Sequence, residues 1–124
     1  MRYLSWKDVV AIHDDVLESH ELQGMAKHKS IEAIIARIDN RLTYGMITDI
    51  FELAACYACY IAVGHAFNDG NKRTAFATMD ICLTLNGIEL DYNTEEVGNK
   101  IIRGAQGIID ESELAGWLRS LTPE

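Results

Sequence analysis

Apolar residues recur along this chain at helical spacing, three and four positions apart. Ser5 and Asp8 form a capping pair, after which Val9, Val10, Ile12, His13, Val16 and Leu17 trace one stripe. Glu18 to Lys29 is polar and reads as a loop. Ser30 caps a second helix through about Asn40, whose apolar face is Ile31, Ile34, Ile35 and Ile38. The segment from Asn40 to Ile47 leaves two readings open, a helix end or a short extended flap. Asp49 and Glu52 cap a third helix, about Ile50 to Gly64, that is apolar on nearly every side. In a globular protein such a helix is the central, buried one. Polar residues then return abruptly, from His65 to Thr74. A fourth helix is predicted from about Asn71 to Asn86, stopped by Gly87. Thr94 opens a fifth through Arg103, and Gly104, Gln106 and Gly107 break the chain. Asp110 with Glu113 caps a sixth, carrying Leu114, Trp117, Leu118 and Leu121. The expected fold is all-α: a compact bundle around a buried central helix, as one domain over residues 1–124.

Composition adds a few exclusions. The formal net charge is −8, which argues against nucleic acid or an anionic membrane surface as the main partner, since both are bound through Lys and Arg. No apolar stretch is long and clean enough to span a bilayer, and the N-terminal residues do not read as a signal peptide. Cys56 and Cys59 form a C-x-x-C, but within the apolar run from Ala54 to Ile61. A redox pair usually opens a helix, where the dipole lowers a thiol pKa, so core packing explains these residues better. Three cysteines without a framework fit a reducing, cytoplasmic compartment.

The candidate chemistry lies between the third and fourth helices. Gly70 lets the backbone turn tightly and approach a ligand. A helix N-terminus presents free N–H groups and partial positive charge, so Lys72 and Arg73 are poorly placed there unless they neutralise an anion. Together these features describe a phosphate site. Asp69 offers a hard oxygen to Mg²⁺ held jointly with phosphates, and His65 is a proton acceptor for an attacking hydroxyl. Phe67 alternates with polar neighbours and turns inward as an anchor. The P-loop pattern does not fit, because Asn71 separates Gly70 from Lys72 and a helix rather than a strand precedes. On residue types alone, a phosphate site and a solvated polar loop remain open alternatives.

The whole string from His65 to Arg73 resembles the motif of the Fic/Doc family, H-x-F-x-[DE]-[GA]-N-[GK]-R. His65, Phe67, Asp69, Gly70, Asn71, Lys72 and Arg73 match it position by position. Ile12-His13-Asp14, the run from Ile47 to Leu53, and Leu85-Asn86-Gly87 extend the likeness. Lys72, Thr74 and the short chain are similar to the Doc branch, toxins of toxin–antitoxin pairs. The resemblance implies a Mg²⁺- and ATP-dependent phosphotransferase acting on a Ser or Thr hydroxyl, with a translation elongation factor as target class. It implies catalytic roles for His65, Asp69, Lys72 and Arg73, with Asp69 holding the metal. It also implies phosphate binding by Asn68, Gly70, Asn71, Lys72, Arg73 and Thr74. AMP transfer, as in Fic enzymes proper, is the alternative, and a catalytically inactive interaction module is a third reading. AMP-transferring relatives carry a second arginine three residues after the first; here that position is Phe76. The family's self-restraining motif, [ST]-x-x-x-E-[GN], is not met: Thr48 to Glu52 comes nearest, but Leu53 follows. A separate antitoxin protein is therefore expected as partner. His13 reads as structural, and Asp14, Asp15 and Glu18 as a solvated face.

Overall fold

A computed structural model describes residues 1–122; the single proline, Pro123, lies outside the described residues. Six helices follow in order: α1 (Trp6–Val16), α2 (Ile31–Thr43), α3 (Ile50–Gly64), α4 (Asn71–Leu85), α5 (Thr94–Ala105) and α6 (Glu111–Ser120). The fold is all-α, as expected. Five of these helices start on a side chain that accepts a backbone N–H: Ser5, Ser30, Asp49, Asn93 and Asp110. Ser5 and Asp8 complete a reciprocal capping box. Only α4 starts without one, on Gly70.

Composition dictates the position of α3. Leu53 through Cys59, with Ile61 and Ala62, are all buried, so the body of the helix leaves no face for water and only its end, at Val63, is exposed. It packs against α2, α4, α5 and α6, while α1 lies across α4 and α2. Its many small residues let these neighbours come close. At Gly64 the approach is tightest: a Cβ there would fall 2.3 Å from Ile34 Cδ1 on α2. Cys56, Cys59 and Cys82 are free and buried, and burial pushes each thiol up to about 12. They are core residues, without the electropositive setting that makes a thiol reactive.

Several boundaries differ from expectation. α2 continues through Thr43, which resolves the ambiguous segment as a helix end rather than a flap. Arg41 holds this end down, donating to Glu111 at 2.8 Å and to the Tyr60 hydroxyl at 2.7 Å. Gly104 does not break the chain. It is a buried residue of α5 whose missing side chain makes room for Cys59 Sγ. No helix among the described residues is long and apolar enough to cross a membrane.

The N-terminal segment is tied to the centre through one side chain. Tyr57, fully buried in α3, accepts the Leu4 N–H at 2.9 Å and donates to the Leu4 carbonyl at 3.1 Å. Substituting Tyr57→Phe leaves both backbone groups unpaired in a dry setting. It should lower stability by about 1–3 kcal/mol, read as a reduced urea midpoint with unchanged slope.

Candidate active site

The site begins where the apolar helix runs out. His65 caps α3 in the left-handed conformation, with φ +46°, a region His tolerates better than most residues. This reverses the chain and drives Ala66 and Phe67 into the core, while His65 itself stays exposed. Asn71 then locks the loop from the other side. Its Oδ1 accepts the Phe67 N–H at 3.0 Å and its Nδ2 donates to the Phe67 carbonyl at 2.9 Å. Phe67 lies parallel on the His13 ring, centroids 3.7 Å apart. Gly70 turns the chain with φ +80°, and α4 starts.

An extended segment does lie along this loop, but it comes from between α1 and α2. The Ala26 N–H donates to the Ala66 carbonyl at 2.7 Å, and the Asn68 N–H donates to the Gly24 carbonyl at 3.0 Å. Met25 and Phe67 thus form an antiparallel bridge. Asn68 adds a side-chain bond to the Gln23 carbonyl.

His65, Asn68, Asp69, Gly70, Asn71, Lys72 and Arg73 line one cleft of about 260 Å³. The backbone N–H groups at the start of α4 open into a site with no capping side chain, which suits an anion. Lys72 is exposed and forms no ion pair among the described residues. The imidazole of His65 makes no hydrogen bond among them either. Thr74 stands apart. It is fully buried, and its hydroxyl donates to the Gly70 carbonyl at 2.7 Å, so it braces the turn instead of facing the cleft. Asn71 likewise offers the cleft its backbone, since its carboxamide is engaged by Phe67. A larger cleft, about 340 Å³, opens between α3, the end of α5 and the start of α6, and contains no motif residue.

The electrostatics hold a surprise for the sequence reading. Glu18 is solvent-exposed, as expected, but also paired: it accepts from Arg73 Nη1 at 3.0 Å, while Arg73 Nη2 donates to both oxygens of Glu21. The N–H of Glu18 does most to hold the Glu21 carboxyl below its ordinary value; burial opposes this and Arg73 adds to it. Next in the chain, the Leu22 N–H donates to Asp69 Oδ2 at 2.8 Å. The strap from Glu18 to Leu22 thus engages both the motif arginine and the motif aspartate. Glu52, the nearest match to a family brake, is elsewhere, bonded to the Thr48 N–H and lying 3.8 Å from Arg119.

A family model described as the Fic/DOC family matches residues 3–83. The chain belongs to the Fic/DOC family. It is also 38% identical over 122 residues to a protein named "Protein kinase doc" from Escherichia phage P1, covering 98% of this chain and 96% of that one. This places it in the Doc branch, among transferases of phosphoryl or nucleotidyl groups that use a nucleotide.

An incoming anion competes with Glu18 and Glu21 for Arg73. The double substitution Glu18→Gln with Glu21→Gln should therefore tighten nucleotide binding a few-fold, the modest effect expected of ion pairs reached by water. Isothermal titration checks this; unchanged affinity would separate Arg73 from the bound phosphates.

Proposed function

We propose that this Fic/Doc chain acts as a single domain and is the toxin of a toxin–antitoxin pair. In this reading it transfers the γ-phosphoryl group of ATP to a Ser or Thr hydroxyl of a target protein. The observation that carries the reading is the near full-length likeness to the phage P1 protein kinase, joined to an intact motif around one cleft. Phe76 supports phosphoryl over AMP transfer. The position where AMP-transferring relatives carry a second arginine holds a ring packed edge-on against Tyr92, 5.9 Å between centroids, and supplies no cation.

The roles follow from position. His65, exposed and without a bond to the protein, takes the proton of the attacking hydroxyl. As the new O–P bond forms and the bond to the leaving ADP breaks, Lys72 and Arg73 balance the phosphate charge. N–H groups at the start of α4 do the same for the equatorial oxygens. Asp69 is the carboxylate for Mg²⁺, which neutralises phosphate oxygens when bound. Its Oδ2 is engaged by Leu22 and Oδ1 accepts no hydrogen bond among the described residues. No group of three ligating side chains is found among the described residues. That fits Mg²⁺, which takes one or two carboxylates and finds its other ligands in water and phosphate.

The Doc resemblance supports a translation elongation factor as target class, a cytoplasmic setting, and a separate antitoxin as restraint. A short, partly disordered antitoxin that folds on binding would wrap the site and be removable by proteolysis.

Parallel incubation with γ-labelled and α-labelled ATP in a cell extract tests the reaction. Label should pass to protein from the γ position alone and vanish with His65→Ala; transfer from the α position would replace this reading by AMP transfer. Asp69→Ala should reduce transfer by about 10²-fold or more, the scale of a lost electrostatic stabiliser, while the chain stays folded and the urea midpoint falls only by the small loss of the Leu22 bond. Retained activity would remove the metal assignment.

A further inference from the structure

His13 sits in α1, more than fifty residues from the motif, and its side chain is 1% exposed. Its Nε2 lies 2.7 Å from the carbonyl oxygen of Asp69. A carbonyl only accepts, so the ring proton stands on Nε2 and is donated to that oxygen. The ring cannot swing away, because Phe67 covers one face in a parallel stack at 3.7 Å. Its Nδ1 lies 3.3 Å from the exposed Asp14 carboxylate.

The peptide joining Asp69 to Gly70 is planar and trans, so its C=O and N–H point in opposite directions. With the carbonyl drawn toward α1, the Gly70 N–H is turned the other way, toward the cleft. It has no acceptor among the described residues. The following peptide is fixed in the same manner: the Gly70 carbonyl accepts the Thr74 N–H at 2.9 Å and the Thr74 hydroxyl at 2.7 Å. Two carbonyls are thus tied back, and two N–H groups, those of Gly70 and Asn71, are left directed outward. Without a tether this turn has an alternative. Glycine takes positive and negative φ with similar ease, so the Asp69–Gly70 peptide could flip and present its oxygen to an anion.

We infer that His13 is a positioning residue for the anion site: it holds the Asp69 carbonyl so that the Gly70 N–H faces the bound phosphate. The inference rests on the reading of the cleft as a phosphate site, but not on which group is transferred.

Two substitutions separate the tether from packing. His13→Phe keeps the buried ring and its stack but has no donor. His13→Gln keeps an amide N–H close to where Nε2–H stands. Inorganic pyrophosphate is the probe, with affinity read by calorimetry and the Gly70 amide by ¹⁵N NMR. In the unmodified chain the Gly70 amide should shift on saturation. His13→Phe should bind about tenfold more weakly, the scale of one hydrogen bond to a charged group, with an unresponsive Gly70. His13→Gln should recover to within about threefold. Equal binding by His13→Phe with a responding Gly70 overturns the inference, as does a failure of His13→Gln to recover. A Gly70 amide that is silent in the unmodified chain while pyrophosphate binds also overturns it, even if His13→Phe does not fold. Absence of any binding by the unmodified chain instead overturns the phosphate site itself.

Discussion

A helix with no polar face has to be surrounded, and most of this molecule follows from that requirement. α3 is fifteen residues long and carries buried residues through almost its whole length. α2, α4, α5 and α6 cover it, each contributing one apolar face and leaving its charged residues outside. Such a helix can present chemistry only at its ends. The left-handed His65, which stops α3 and turns the chain outward, therefore stands at the boundary between the driest part of the protein and the cleft. Rigidity at the site is inherited from the core, because Phe67, two residues further on, is packed into it.

The motif loop shows how a turn full of polar groups is kept ordered. Nearly every group that does not face the cleft is paired back to the protein. Phe67 is bracketed by Asn71, the Gly70 carbonyl by Thr74, the Asp69 carbonyl by His13, and Asn68 by the segment around Gly24. What remains unpaired among the described residues is on the cleft side: the His65 ring, the Lys72 ammonium and the N–H groups that open α4. A site prepared in this way needs little rearrangement to stabilise charge, which is where catalysis by positioning gains most.

Much of this was legible in sequence because it is local. Helix starts were marked by Ser5, Ser30, Asp49 and Asp110, each followed by an acid or an apolar stripe, and the structure caps all four helices there. The burial of α3 followed from its lack of a polar side. The contacts that the sequence hid join distant residues. Glu18 and Glu21 lie more than fifty positions from Arg73, and in a polar loop they look like any solvated acids. His13 read as structural because periodicity places it on an apolar face; nothing in that periodicity indicates that its ring nitrogen meets the Asp69 carbonyl. Between the two readings of Asn40 to Ile47, the Arg41–Glu111 pair favours the helix end, and α2 continues to Thr43. The segment that pairs with the motif loop, Gly24 to Ala26, forms a single bridge and is too short to show any alternation.

The strap on Arg73 bears on how such an enzyme would be restrained. Arg73 is 39% exposed and Glu18 58% exposed, so water and salt screen this pair and it holds weakly. Glu21 is more covered, yet its carboxyl belongs to a strap anchored by few bonds, chiefly the Leu22 N–H on Asp69. In the reading proposed above, a nucleotide with Mg²⁺ would bring several charges to the same two residues and displace both contacts at once. The acids thus keep the guanidinium oriented and paired without covering the cleft. Arg73 stays 39% exposed beneath the strap, so in the proposed reading the full restraint comes from the separate antitoxin.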